Sequence, residues 1–107
     1  MSIGLDELCN YKYNNDWYLY VLKLERDFYY IGITLHPKNR IESHFKGEGA
    51  NFTKRNIPKQ IVELYCLNIS DREISYKLET QKTKEYRLIY GCDKVIGGKY
   101  LHLKIKK

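Results

Sequence analysis

Residues 17–34 read WYLYVLKLERDFYYIGIT. Two blocks, 17–24 and 28–34, are rich in β-branched and aromatic side chains, which suit a pleated, packed surface. Glu25-Arg26-Asp27 lies between them as a short polar connection, so the stretch predicts a β-hairpin.

Downstream, His36-Pro37-Lys38 opens a helix, with Pro at an early position where its missing N–H costs nothing. Ile41 and Phe45 lie four apart and are expected to face the core. Arg40 and His44, also four apart, share the neighbouring stripe. Gly47 and Gly49 end this helix, and residues 50–58 read as a basic, Asn-containing loop. Residues 59–69 (KQIVELYCLNI) predict a third strand. Ser70 with Glu73 forms a capping-box signature for a helix over about 71–90. Its apolar set is Ile74, Leu78, Leu88 and Ile89, with Tyr86 and Tyr90 alongside, and Gly91 is the natural stop. A last strand or extended arm over 95–105 is interrupted by Gly97-Gly98. The order β-β-α-β-α predicts an α+β domain: a small, mainly antiparallel three-stranded sheet flanked by helices. One domain is expected over 1–107, with its core at about 17–91 and a basic arm over 94–107.

With 107 residues, the chain has room for one hydrophobic core. Its composition, 43% hydrophobic and 30% charged, is globular rather than disordered. No run approaches the roughly 18 apolar residues of a membrane span, and the N-terminus lacks a signal-peptide layout. Cys9, Cys66 and Cys92 are odd in number and widely spaced, which argues against a disulfide framework or a zinc knuckle. Small buried or half-buried thiols and an intracellular setting, in cytoplasm or nucleus, are expected. The net charge of +6 is concentrated: residues 38–59 carry +4 and residues 94–107 carry +5. Two basic blocks on one small domain favour a polyanion, with phosphate the usual one. Eleven residues are tyrosine against three phenylalanines and one tryptophan. Buried phenols need hydrogen-bond partners, so some are expected to face a polar site.

Taken singly, Tyr20 and Tyr30 fit ordinary sheet tyrosines, Arg40 and His44 a solvated helix face, and Glu79 a surface acid. Their order and spacing carry more. Tyr20 sits on the first strand, Tyr30-Ile31-Gly32 follows ten residues later, and Arg40 another ten on. His44 lies one turn after Arg40, and Glu79 falls in a K-L-E-T-Q helix. In this set the chain resembles the GIY-YIG endonuclease family over about residues 17–90. Its first motif stands as Tyr18-Leu19-Tyr20, with Tyr18 where the family name has Gly, and its second as the intact Tyr30-Ile31-Gly32. Lys94 stands where many relatives carry an Asn that braces the site.

The resemblance implies hydrolysis of a phosphodiester, by one-metal in-line attack that leaves 5′-phosphate and 3′-hydroxyl ends. Glu79 would offer a hard carboxylate oxygen to Mg²⁺ or Mn²⁺, with water and substrate oxygens completing the shell. Arg40 would hold non-bridging oxygens as charge builds. Tyr20 is the best candidate for the base, although its reference pKa of about 10 is high for that task. His44 would share the proton or bind a phosphate, and Tyr30 would position water or phosphate through its hydroxyl.

Asn51, Thr53, Lys54 and Arg55 are expected to contact a phosphate backbone, and Lys94, Lys99, Lys104, Lys106 and Lys107 to extend that track. Tyr29, Phe52 or Tyr65 would stack on an unpaired base or serve the core. The partner expected is nucleic acid, DNA before RNA, and no membrane. Specificity is expected from nucleic-acid structure, from a homodimer or from a partner protein. The alternative is a catalytically inactive nucleic-acid-binding module on the same fold.

Overall fold

The hairpin forms as its sequence dictates and becomes the middle of the molecule. A computed structural model describes residues 13–100. Among them, β1 (Tyr18–Leu24) and β2 (Tyr29–Thr34) are followed by helices α1 (Pro37–Phe45) and α2 (Asn51–Arg55). Strand β3 (Pro58–Cys66), helix α3 (Arg72–Tyr90) and strand β4 (Val95–Gly97) complete the chain order. The sheet order is β3-β1-β2-β4. β1 runs antiparallel to both neighbours, with Tyr20 opposite Gly32 on one side and Leu64 on the other. β4 runs parallel to β2, from Tyr29 opposite Val95 to Ile31 opposite Gly97.

The expected small, mainly antiparallel three-stranded sheet is therefore corrected to a mixed sheet of four strands, the fourth forming at the start of the segment expected as a last strand or arm. Three residues are too few to show an alternating pattern. Their parallel pairing depends on where α3 returns the chain, which local sequence does not carry. Residues 101–105 of the expected last strand, and Lys104, Lys106, Lys107 and Cys9, lie outside the described residues. Cys66 is half-buried, but Cys92 is exposed rather than covered.

β1 reads as a near-continuous apolar run because both of its faces are covered. Tyr18, Tyr20, Leu22 and Leu24 pack with Ile41, Ile61 and Leu64 on the side of α1 and α2. Leu19 and Val21 pack with Tyr29, Ile31, Tyr86 and Val95 on the side of α3. The segment before β3, expected as a loop, winds one short helix because Phe52 finds a ring partner in Phe28, 5.4 Å away between centroids.

The buried face of α3 differs from the apolar stripe expected of it. Ile74, Leu88 and Ile89 are 48%, 88% and 71% exposed; Tyr86 is buried as expected, and with it the helix buries Ser75, Thr83 and Arg87. Backbone proximity explains this. A Cβ at Gly97 would lie 2.5 Å from Thr83 Oγ1, and one at Gly98 would lie 2.4 Å from Thr80 Oγ1. A helix this close to a strand has room only for small side chains at the contact. Their hydroxyls are satisfied within the helix: Ser75 donates to the Asp71 carbonyl at 2.9 Å and Thr83 to the Glu79 carbonyl at 2.8 Å. The N-cap is Asp71 rather than Ser70, its carboxylate accepting from the Ile74 N–H at 3.1 Å.

The hairpin turn carries strain. Arg26 and Asp27 both adopt left-handed backbone, at φ 62° and 61°. L-residues with a Cβ disfavour that region by about 1–2 kcal/mol each, and hairpin turns with two such positions favour Asn-Gly. Replacing Arg26→Asn together with Asp27→Gly is expected to raise unfolding free energy by about 1–2 kcal/mol. Urea denaturation checks this, and an unchanged or lower midpoint contradicts it.

Candidate active site

Tyr20 projects from β1 toward α1, and Gly32 stands directly across the hairpin from it. A Cβ on Gly32 would come within 2.3 Å of the Tyr20 hydroxyl oxygen and 2.4 Å of Cζ. The phenol therefore lies flat over Gly32, which explains the glycine that follows Tyr30-Ile31. Held this way, the Tyr20 hydroxyl lies 2.9 Å from His44 Nε2. The Tyr30 ring faces that of Tyr20 at 6.4 Å and lies 5.0 Å from the His44 ring.

Helix α1 supplies the next two members from one stripe. Pro37 begins it, and the His36 N–H donates to Thr34 Oγ1 at 2.9 Å as the chain leaves β2. Ile41 and His44 are buried, while Arg40 lies at the edge of the cluster. Burial, reinforced by the Tyr30 phenol, holds the Tyr20 hydroxyl well above the usual tyrosine range. Arg40, as a charge and as a donor, draws it back. Tyr30 is raised by burial and lowered by the same guanidinium. Burial and the Arg40 charge together push His44 down to about 4, so the imidazole is neutral at pH 7.

Glu79 reaches the cluster from α3. Its Oε2 accepts the Gly98 N–H at 2.8 Å. Gly97 is in register with Ile31, so Gly98 lies level with Gly32 just past the end of β4. The carboxylate charge acts on both phenols, raising each further. Burial raises the Glu79 carboxyl itself, against the Gly98 N–H and the Arg72 charge. Tyr20, Tyr30, Arg40, His44 and Glu79 thus converge on the hairpin from four different elements, β1, β2, α1 and α3.

The expected nucleic-acid contacts divide. Asn51, Lys54 and Arg55 are exposed on α2. Thr53 is a correction: it is fully buried and lies 2.9 Å from His44 Nδ1, so it faces the core instead of a phosphate backbone. Helical winding of the supposed loop turns it inward. Lys94 stands at the other end of β4, about 13 Å from Gly98 along the strand, with its ammonium 5.0 Å from the Phe28 ring centre. Lys94 is therefore remote from the Gly98 N–H that holds the Glu79 carboxylate. The Lys99 N–H donates to Thr80 Oγ1 at 3.4 Å, and Lys99 lines a recess of about 410 Å³ with Tyr76, Lys77, Thr80, Gln81 and Lys84. Sequence reading passed over Lys77 and Lys84, although they lie seven apart on one stripe of α3. Of the proposed stacking rings, Tyr29 is buried against Tyr86 and Tyr90, Phe52 packs on Phe28, and Tyr65 is exposed beneath the Lys82 ammonium.

The family model for the GIY-YIG catalytic domain matches residues 16–90. The chain belongs to the GIY-YIG family, a family of nucleases. It is 42% identical over 74 residues to a UPF0213 protein of Pediococcus pentosaceus, covering 65% of this chain and 78% of that one. A UPF0213 protein of Haloquadratum walsbyi is 30% identical over 84 residues, covering 74% and 94%. One from Xanthomonas campestris is 39% identical over 46 residues, 43% of this chain and 45% of its own. No solved structure gives a significant match. No described helix of this GIY-YIG chain is long and apolar enough to cross a membrane.

The neutral His44 gives this domain a pH signature. Between its ordinary value near 6.5 and its folded value of about 4, the unfolded chain binds a proton that the folded protein refuses. Stability contributed by His44 is therefore lost as pH falls through that window, by on the order of 3 kcal/mol. Glu79, raised by burial, acts in the opposite sense and gains stability on acidification. Urea midpoints between pH 4.5 and 7 are expected to fall less steeply with acid in His44→Gln than in the parent protein. Equal slopes would contradict the buried neutral imidazole.

Proposed function

We propose that the protein is a divalent-metal-dependent endonuclease that hydrolyses phosphodiester bonds in nucleic acid, DNA before RNA, leaving 5′-phosphate and 3′-hydroxyl ends. The observation that carries this reading is the placement of Glu79 beside the phenol, imidazole and guanidinium cluster. One carboxylate oxygen is held by Gly98, and Oε1 has no hydrogen-bond partner among the described residues. An acceptor-only oxygen of this kind fits a hard cation such as Mg²⁺ or Mn²⁺. Among the described residues there is no group of three His, Cys, Asp or Glu side chains that would make a closed site. A single carboxylate with waters and phosphate oxygens suits such an ion, which supplies Lewis acidity to the scissile phosphate and the leaving oxygen.

The chain's own residues supply the rest. Arg40 presents a fixed fork of donors to the non-bridging oxygens, where negative charge grows during attack. Tyr20 stands between that fork and His44, and takes the proton of the attacking water as its own passes inward. Tyr30, the more open phenol, orients the water or a phosphate oxygen. Lys54 and Arg55 on α2, and Lys77, Lys84 and Lys99 around the recess beside Glu79, neutralise flanking phosphates. The inactive binding module draws on one observation, that Tyr20 is only 1% exposed in the free protein.

Labelled duplex, branched and single-stranded substrates, incubated with Mg²⁺, Mn²⁺ or EDTA, separate the two readings. Metal-dependent cleavage is expected, reduced at least about 100-fold in Glu79→Ala with binding retained. Binding without cleavage in every metal overturns the enzyme. Lysines in the recess are tested separately. Lys77→Ala with Lys84→Ala is expected to flatten the slope of log affinity against log salt on duplex DNA by about 1–2. An unchanged slope would remove that recess from the substrate track.

A further inference from the structure

Behind Tyr20, the buried groups form a chain in which each hydrogen can be assigned by counting. Thr53 Oγ1 lies 2.9 Å from the Ala50 carbonyl oxygen and 2.9 Å from His44 Nδ1. A carbonyl only accepts, and the two lone pairs of the Ala50 carbonyl take the Lys54 N–H at 3.0 Å and the single hydroxyl hydrogen of Thr53. Thr53 therefore meets Nδ1 with a lone pair, and Nδ1 must carry a hydrogen. The imidazole has no solvent exposure, makes its two ring-nitrogen hydrogen bonds to hydroxyl oxygens only, and lies near the Arg40 cation. Nothing there favours a second ring proton. Nε2 is left with its lone pair, and the Tyr20 hydroxyl donates to it at 2.9 Å.

The backbone supports the same orientation. A Cβ at Gly49 would lie 2.4 Å from His44 Nδ1 and 3.0 Å from Cε1, so the chain closes directly on the ring and leaves little space for rotation. Thr53 is thus placed by α2, and Gly49 by the turn before it, around one imidazole.

We propose that Thr53 is a positioning residue: its hydroxyl holds His44 in the Nδ1–H tautomer and so makes Nε2 the acceptor for the Tyr20 proton. When Tyr20 takes a proton from the attacking water, its own hydrogen moves to Nε2, giving an imidazolium whose Nδ1–H remains bonded to Thr53. The proton count is unchanged across the three groups except for the one gained from water. Arg40 on α1, Tyr20 on β1, Tyr30 on β2 and Thr53 on α2 are the charged and polar groups facing the ring. His44 is accordingly a proton acceptor behind the phenol and makes no phosphate contact. The catalytic part of this inference rests on the endonuclease reading; the tautomer does not.

The test uses the full chain labelled with ¹⁵N-histidine, in long-range ¹H–¹⁵N correlation spectra at pH 7. The chain has three histidines, and the spectrum of His44→Gln identifies the His44 signals. Nδ1–H is expected in the parent protein and in Thr53→Ser, and loss of that pure state in Thr53→Val. An Nε2–H tautomer or an imidazolium in the parent protein overturns the proposal, as does an unchanged tautomer in Thr53→Val. Single-turnover cleavage is measured on the same variants. Thr53→Val is expected to lower the rate about 10- to 100-fold, within the range for general acid–base assistance, with KM nearly constant and Thr53→Ser restoring most of it. A shifted tautomer with an unchanged rate overturns the link to catalysis. Should the parent protein cleave nothing in any metal, the endonuclease reading fails, and the spectrum still decides the tautomer. Parent and Thr53→Ser spectra serve that purpose even if the valine variant does not fold.

Discussion

The contact between the Tyr20 phenol and the Gly32 backbone organises this molecule. Because Gly32 has no side chain, the ring crosses from β1 over its hairpin partner instead of standing upright on the sheet. That places the hydroxyl beside His44 and draws α1 onto this face, with Ile41 filling the space beneath it. A methyl group at position 32 would occupy the volume of the phenol. One absent Cβ therefore couples strand pairing, helix docking and the polar cluster.

The opposite face follows the same logic with other glycines. Gly97 and Gly98 let α3 approach so closely that Thr83 and Thr80 nearly touch the backbone of β4 and the turn after it. That approach carries Glu79 past the sheet edge to the Gly98 N–H. Large apolar residues at the contact would hold the helix away and the carboxylate with it. The helix instead leaves Leu88 and Ile89 in solvent and buries hydroxyls that bond to its own carbonyls. Placement of the carboxylate outranks apolar burial here.

Burial sets the electrostatic character of the cluster. It raises both phenols and the Glu79 carboxyl and lowers His44, so each group is driven toward its neutral form. Arg40 is the counterweight, lowering the two phenols while discouraging a second cation on His44. In the resting protein the shared proton belongs to Tyr20, because the phenol is far more basic than the imidazole.

Much of this was legible in the residues. WYLYVLKL and FYYIGIT specify a hairpin through β-branched and aromatic content, and Pro37 with the Arg40–His44 spacing places two functional side chains on one helical stripe. Those are local properties, set by backbone sterics and by periods of two and of 3.6 residues. The four-residue and ten-residue spacings link Tyr20, Tyr30, Arg40 and His44, and the family resemblance adds Glu79 in its K-L-E-T-Q helix. Thr53, the role of Gly98 and the parallel pairing of β4 were not legible, because each matters through a contact made across elements. Thr53 read as a loop hydroxyl until α2 turned it toward His44, and Lys94 read as part of a basic track until β4 carried it to the far end of the sheet. Sequence by itself determined which polar side chains are available to the cluster, since side-chain type and spacing are written along the chain. Tertiary structure alone decided which of them meet, in which protonation state and with which partner, because burial and hydrogen-bond geometry exist only once the elements have packed.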